Sequence, residues 1–424
     1  MAAAVTGATE VATTSCGLDV ARIKRDFPIF DERHDRRLVF LDTAASSQKP
    51  RAVLDAMTDY YETTHANVHR GVYDLAEEAT ARYEGARTTI GRFIGASSDR
   101  EIIFTKNVTE AFNLIAHSWG RANLVAGDAV LLTEMEHHAN LVPWLMLAEE
   151  RGIELRYLGV TDDGELDLSD LDAKLDGAKL FGFTAVSNVL GTLNPVRRLA
   201  DAGHAAGAVV AVDGAQHVPH ATTDVAALGA DLFGFTGHKM LGPTGIGVLW
   251  GREELLDAMP PFLGGGDMIR DVRLDGFTPN ELPWKFEAGT PPIAEAIGLA
   301  AAVGELERYG MDAILAHERR ITGYAMATLA ERFGDDLVVH GPRSVERRGG
   351  LLSFAFKGIH PHDISQVLNQ SGVCVRAGHH CAKPLMRQLG VAATARASFY
   401  VYNDADDVDA LAEALVEASD FFGF

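Results

Sequence analysis

A single lysine at the end of an apolar run is the first residue in this chain placed for covalent chemistry. Asp231-Leu232-Phe233-Gly234-Phe235 leads into Thr236, Gly237, His238 and then Lys239, with glycines following. An ammonium taken out of water loses solvation, its pKa falls, and it becomes a nucleophile or base. A lysine at a strand end also fits a side chain snorkelling to solvent. A second stretch upstream weighs on this choice. Ala208 to Val212 is an unbroken hydrophobic run ending in Asp213, followed by Gly214-Ala215-Gln216. That pattern describes a strand buried on both faces with a carboxylate at its C-terminal edge.

An aspartate able to meet a pyridinium nitrogen, ahead of a lysine able to form an imine, is the pairing that pyridoxal phosphate needs. A phosphate has its own candidate in Phe104-Thr105-Lys106-Asn107-Val108-Thr109-Glu110, a strand, a polar turn and a helix beginning. Free amides and a threonine hydroxyl there suit an anion, and ordinary capping by Asn107 or Thr109 fits the same residues. In Met135-Glu136-His137-His138, a histidine at a strand end can stack on a flat heterocycle or move protons. Zinc is the competing thought, but the HExxH spacing is absent and no metal is expected. Near the C-terminus, Arg376-Ala377-Gly378-His379-His380-Cys381 sets a cysteine beside two histidines and an arginine, neighbours that favour thiolate. A structural cysteine is the alternative there, and Cys374, flanked by valines, suits it better. A His-His-Cys metal site would lack a fourth ligand. Arg376 and Arg396 each suit a carboxylate clamp or a surface ion pair.

These residues need strands to present them. Strands are expected at 101–105, 129–134, 153–160, 179–186, 208–213, 232–236 and 246–250, with helices between most of them. Such alternation predicts an α/β domain on a mainly parallel sheet, with ligands outside the carboxyl ends of its strands. Thr109, His137, Asn188 and Asp213 all follow strand ends. Before this region come a short N-terminal helix, a strand at Leu38–Asp42 and amphipathic helices near 51–64 and 74–93, with the polar loop Ala66-Asn67-Val68-His69-Arg70-Gly71 between them. Residues 262–292 break the alternation. Beyond them, helices to about 306 and 333, strands near 337–340, 351–356, 373–376 and 395–399 and a terminal acidic helix read as a smaller α+β domain. The expected division is a flexible tail at 1–17, a large domain at 36–306, and a small domain from 18–35 and 307–424.

With 424 residues the chain can bury a large core, and its net charge of −21 argues against sequence-independent binding to nucleic acid or anionic membrane. No apolar run is long enough to span a bilayer, and the first residues lack the pattern of a signal peptide. Three cysteines, Cys16, Cys374 and Cys381, suggest a reducing cytoplasm and no disulfide framework.

Taken together, AVDGAQ, TGHK, FEAGTPP and RAGHHCA resemble the cysteine desulfurases, fold-type I pyridoxal-phosphate enzymes, and the last motif resembles their Suf-type second group. The likeness runs from about Leu18 to the C-terminus and includes LDTAASSQKP, ANVHRG, MEHHANLVPW and SNVLGT. It implies that Lys239 holds the cofactor covalently, Asp213 partners the pyridinium, Gln216 meets the ring hydroxyl and His137 stacks on the ring, with His138 one residue away as the other reading. Val108 (through its amide), Thr109, Thr236 and His238 match the phosphate cup. Gly289 and Thr290 match residues that reach the phosphate from a second subunit, which implies a homodimer. Asn188, Arg376 and Arg396 match contacts to the substrate carboxylate and ring; Ala44, His69 and Arg70 line the cleft. Cys381 matches the catalytic thiol. One departure is Asn107-Val108, where relatives often carry Gly-Thr, so a phosphate hydroxyl contact is lost. The implied reaction takes L-cysteine to alanine and a persulfide on Cys381, handed to a small sulfur-acceptor or iron–sulfur scaffold protein. Selenocysteine lyase and cysteine-sulfinate desulfinase are the neighbouring alternatives.

Overall fold

The computed structural model of the chain describes residues 17–31 and 37–423. Cys16 and nearly all of the expected tail lie outside them. In chain order the strands are β1 (Val39–Phe40), β2 (Ile102–Thr105), β3 (Ala129–Thr133), β4 (Glu154–Leu158), β5 (Ala178–Thr184), β6 (Val209–Asp213), β7 (Leu232–Thr236), β8 (Gly247–Gly251), β9 (Ile269–Arg273), β10 (Gly276–Pro279), β11 (Leu337–His340), β12 (Leu351–Phe356), β13 (Val373–Cys374), β14 (Arg376–Gly378) and β15 (Thr394–Ser398).

Seven of these form the central sheet in the order β2-β8-β7-β6-β5-β3-β4. Its inner strands read as continuous apolar runs because helices cover both faces. Phe233 and Phe235 of β7 are fully buried, each contributing about 2 kcal/mol. All pairs from β4 through β7 are parallel, while β8 runs antiparallel to both β7 and β2. The reason is local. Residues 237–246 are too few for a crossover helix, so β7 must turn back on itself. Lys239 sits in that turn, at the end of the short 3₁₀ segment Gly237–Lys239.

Two glycines make the close packing at this edge. A Cβ on Gly214 would stand 2.2 Å from the Phe233 ring, and one on Gly247 2.6 Å from Asn107 Cα. The turn after Asp213 and the turn before Val108 are thereby drawn against the sheet.

The helix Asp74–Phe93 buries Ala76, Ala79, Tyr83, Ala86 and Ile90, spaced three and four apart, and packs against Ile293–Tyr309. The expected helix at 51–64 is α-helical only to Asp59; Tyr60–Thr64 is a π-helical turn. A four-stranded antiparallel sheet, β11-β12-β15-β14, carries a second core with the helices Met311–Phe333, Pro361–Gln370 and Ala405–Phe422. Strand β1 pairs in parallel with β13, and Val39 and Leu41 pack into this second core. The hairpin β9–β10 was not expected: its strands carry Arg270, Asp271 and Arg273, and its residues are mostly exposed, so no buried face marks the sequence.

Candidate active site

Register sets the floor of the site. Asp213 is paired with Thr184 on one side and Gly234 on the other, so β5 and β6 end level and β7 runs two residues further, to Thr236. Asp213 is 3% exposed and accepts one side-chain hydrogen bond, from Ala215 N to Oδ1 at 2.9 Å. Burial raises its pKa, opposed by that bond and by Lys239. Lys239 makes no side-chain hydrogen bond among the described residues. Burial pulls its amine down to about 8, against Asp213, with Arg396 lowering it further and Cys381 raising it. A lysine at about 8 holds roughly a tenth of its population as free amine at neutral pH, far more than an ordinary lysine, which suits a nucleophile and a base. His137 faces the same space: burial, then Lys239, His138 and Arg396, lower its pKa to about 3. Its Nδ1 accepts from Ala139 N at 3.0 Å, which assigns the remaining proton to Nε2.

Two polar atoms here have no partner among the described residues. The Thr236 hydroxyl is buried and unpaired, and so is Arg396 Nε. Each such group costs on the order of 1–3 kcal/mol when left unmade, and a ligand offering a phosphate and a carboxylate would satisfy both. Val108 is buried at the start of the helix Val108–Leu114; Thr109 is exposed, and Asn107 caps the helix through Glu110 N at 3.1 Å. Gln216 donates to Ala44 O at 2.7 Å, and Ala44 N donates to Ser398 Oγ at 2.9 Å, which ties the segment after β1 to the floor. The carbonyl of His238 accepts from Ser47 N at 2.9 Å and from Lys49 Nζ at 3.1 Å. A buried carboxylate, an open hydroxyl and an uncharged ring beside a lysine together fit a flat, phosphorylated heterocycle.

The rim comes from the second sheet. Arg376 on β14 and Arg396 on β15 stand directly opposite each other, and Asp42 lies between them. Arg376 donates to Asp42 at 2.8 and 3.1 Å, and Arg396 Nη2 lies 3.5 Å from it. Arg396 is 2% exposed, donates to Asn188 O at 2.7 Å, and is lowered to about 10, mainly by burial. Cys381 is exposed on the loop after β14. The ring of His380 meets Thr394 Oγ1 at 2.9 Å, and His379 Nδ1 accepts from Cys381 N at 3.1 Å. Among the described residues no three of His, Cys, Asp and Glu are grouped to hold a metal.

A family model described as aminotransferase class-V matches residues 39–411. The chain belongs to that family. It is 52% identical to a probable cysteine desulfurase of Streptomyces coelicolor, over 96% of this chain and 98% of the relative. It is 48% identical to a cysteine desulfurase of Haloferax volcanii, over 96% and 98%. Among solved structures, a cysteine desulfurase of Thermococcus onnurineus in its apo state superposes with a TM-score of 0.90 at 40% identity, covering 97% of this chain and 100% of that one. An Escherichia coli cysteine desulfurase gives 0.87 at 39% identity, covering 95% and 99%. The expected α/β architecture of fold type I is thus the fold of this chain, and its cofactor is pyridoxal 5′-phosphate.

Not every residue singled out from the sequence of this class-V chain joins the cluster. His69 pairs with Glu84 at 2.7 Å and Arg70 with Asp267 at 3.0 Å. Gly289 and Thr290 line a groove of about 380 Å³ with Tyr83, Phe104 and Lys106, which Lys239, His137 and Asp213 do not line. Three residues escaped sequence reasoning. Asp42 ends a short apolar stretch, the same signal that marked Asp213, yet it went unread. Lys49 is lowered to about 8 by burial. Glu136, considered only as a metal ligand, is 1% exposed and accepts from Thr133 Oγ1, Thr184 N and Asn140 Nδ2 at 2.7, 2.9 and 2.7 Å. Burial outweighs those bonds and, reinforced by Asp213, lifts it to about 8.

Proposed function

We propose that the protein is a cysteine desulfurase that takes L-cysteine to L-alanine and leaves the sulfur as a persulfide on Cys381. The observation that carries this is the exposed Cys381 on the rim of a site whose buried floor holds Lys239, Asp213 and His137. In this reading Thr236, His238, Thr109 and the Val108 amide hold the phosphate, Gln216 the ring hydroxyl, Asp213 the ring nitrogen, and His137 lies against the ring. Bound, the cofactor supplies the electron sink for a carbanion at Cα. Arg396 and Asn188 orient the substrate carboxylate, with Arg376 beside them at Asp42. Lys239, as free amine, removes the Cα proton. The Cys381 thiolate attacks the substrate sulfur: an S–S bond forms, the C–S bond breaks, and Cβ gains a proton. L-cysteine plus enzyme thiol gives alanine plus persulfide, with no external oxidant.

The finer parts of the reading follow the same resemblance. The protein is a Suf-type enzyme acting in the cytoplasm, passing sulfur to a small acceptor or scaffold protein for iron–sulfur assembly; the net charge of −21 favours a basic docking face on that acceptor. It works as a homodimer in which Gly289, Thr290, His69 and Arg70 serve a composite cleft. The lobes are 36–306, and 18–35 with 307–424. Alanine release from L-cysteine, with a reductant present, tests the core of the proposal in wild type and Cys381→Ala side by side. Alanine from wild type alone supports it. A variant that keeps its rate moves the chemistry to a selenocysteine-lyase or sulfinate-desulfinase type, in which sulfur or selenium leaves without the thiol.

A further inference from the structure

We propose that His138 is the positioning residue for the Cys381 loop, so that the two adjacent histidines divide the site: His137 serves the floor and His138 the rim. The inference rests on the reading of Cys381 as the sulfur acceptor.

The backbone that carries Cys381 does not hold itself. His380 and Cys381 have φ of +50° and +56°, two consecutive non-glycine residues in the left-handed region. There Cβ crowds the following carbonyl, and such a conformation persists only where its surroundings over-determine it. Inside the loop, His379 accepts from Cys381 N through Nδ1 at 3.1 Å and from Ala382 N through its carbonyl at 2.9 Å. From outside, Asn188 Nδ2 donates to His380 O at 2.7 Å. Thr394 Oγ1 also meets the His380 ring at 2.9 Å, and two further contacts both come from His138. Its main-chain N–H donates to Cys381 O at 2.7 Å, and its Nε2 accepts from Lys383 N at 3.1 Å. One residue thus brackets the cysteine on its C-terminal side with a donor and an acceptor.

The acceptor role requires a neutral ring with its proton on Nδ1. Burial, with His379 and Lys383 alongside, lowers the His138 pKa and favours that state. The segment presenting His138 is itself fixed. Asn140 N donates to His137 O at 2.9 Å, and Asn140 Nδ2 donates to buried Glu136 at 2.7 Å. His137, one residue back, faces Lys239. The turn 136–140 is therefore a short rigid link between the reacting face and the thiol. Reaction between two held groups is steep in distance, and about 1 Å of misplacement costs about 10²-fold in rate.

The test uses the holoenzyme with His138→Leu, which removes the acceptor but keeps the main-chain N–H, and His138→Gln, whose amide oxygen reaches the position of Nε2. Three quantities are read: amide exchange of the peptide spanning residues 378–388, persulfide formation on Cys381 after mixing with L-cysteine, and the rate of the cofactor's absorbance change on mixing. In His138→Leu we expect exchange at Lys383 to rise about tenfold and persulfide formation to slow about 10²-fold, with the absorbance change at its wild-type rate. His138→Gln should restore both to within about threefold. Wild-type exchange and persulfide rates in His138→Leu would overturn the proposal. So would equal losses in both variants together with a slowed absorbance change, the mark of general damage. A wild type that forms no persulfide would instead overturn the reading of Cys381, and the exchange comparison would still decide the clamp.

Discussion

At the floor of the site, Asp213, Thr236 and His137 stand on or just beyond the ends of buried strands, packed by Phe233 and its neighbours. At the rim, Cys381 stands exposed in a left-handed loop held by hydrogen bonds with Asn188, His138, Thr394 and its own His379. The floor is fixed by apolar packing, which tolerates no solvent and shifts every titratable group it encloses. The rim is fixed by single polar contacts, which can be broken one at a time. The difference suits the two tasks of the proposed reaction: activating a carbon needs a dry, rigid enclosure, whereas passing sulfur on needs a thiol that can be reached.

The largest expected effect breaks the floor. Lys239→Ala should lower alanine formation by about 10⁴-fold or more and abolish covalent capture of pyridoxal phosphate, seen as loss of its protein-bound absorbance band. Retention of a hundredth of the activity would mean that the chemistry does not start there. Next comes the residue that joins the two regions. Arg396→Lys keeps the charge but loses the planar fork that reaches Asn188 and Asp42, and kcat/KM for L-cysteine should fall about 10²-fold, chiefly through KM. A loss confined to kcat would put Arg396 with the floor instead.

Thr236→Val should weaken cofactor affinity about tenfold, measured by titrating the apoprotein, with kcat at saturation unchanged. An unaltered affinity would mean that the unpaired hydroxyl does not meet the phosphate. Glu136→Gln probes how dry the floor is and should change activity least. Glu136 has its folded pKa raised from 4.5 to about 8. Across that window the folded chain holds a proton that the unfolded chain has released, so stability falls as pH rises. Glutamine keeps the neutral form, and the variant's urea midpoint should decline less between about pH 5 and about pH 8 than the wild type's. Parallel declines would show that Glu136 is not the group responsible.

The floor was legible in the sequence because buried parallel strands write themselves as apolar runs, and a polar residue ending such a run has nowhere to point but the sheet edge. Asp213 and Lys239 were found this way. The rim was less legible, since its geometry depends on pairings far apart in the chain. Asp42 acquires its role only when β1 joins β13 and when β14 and β15 set Arg376 opposite Arg396. The choice between His137 and His138 rests on one turn of backbone that no periodicity encodes. The hairpin at 269–279 buries neither face and so leaves no pattern.

The central claim is tested most directly by stoichiometry. Holoenzyme is mixed with excess L-cysteine, without reductant or acceptor protein, and alanine is counted against the sulfur found on the peptide bearing Cys381. The account expects a burst of one alanine per protomer with one additional sulfur on Cys381, then a slow phase in which leftover L-cysteine is the only thiol discharging the persulfide, speeding up when a stronger reductant is added. Alanine continuing past one per protomer at the burst rate without added reductant, or a Cys381 peptide with no added sulfur at the end of the burst, would contradict it.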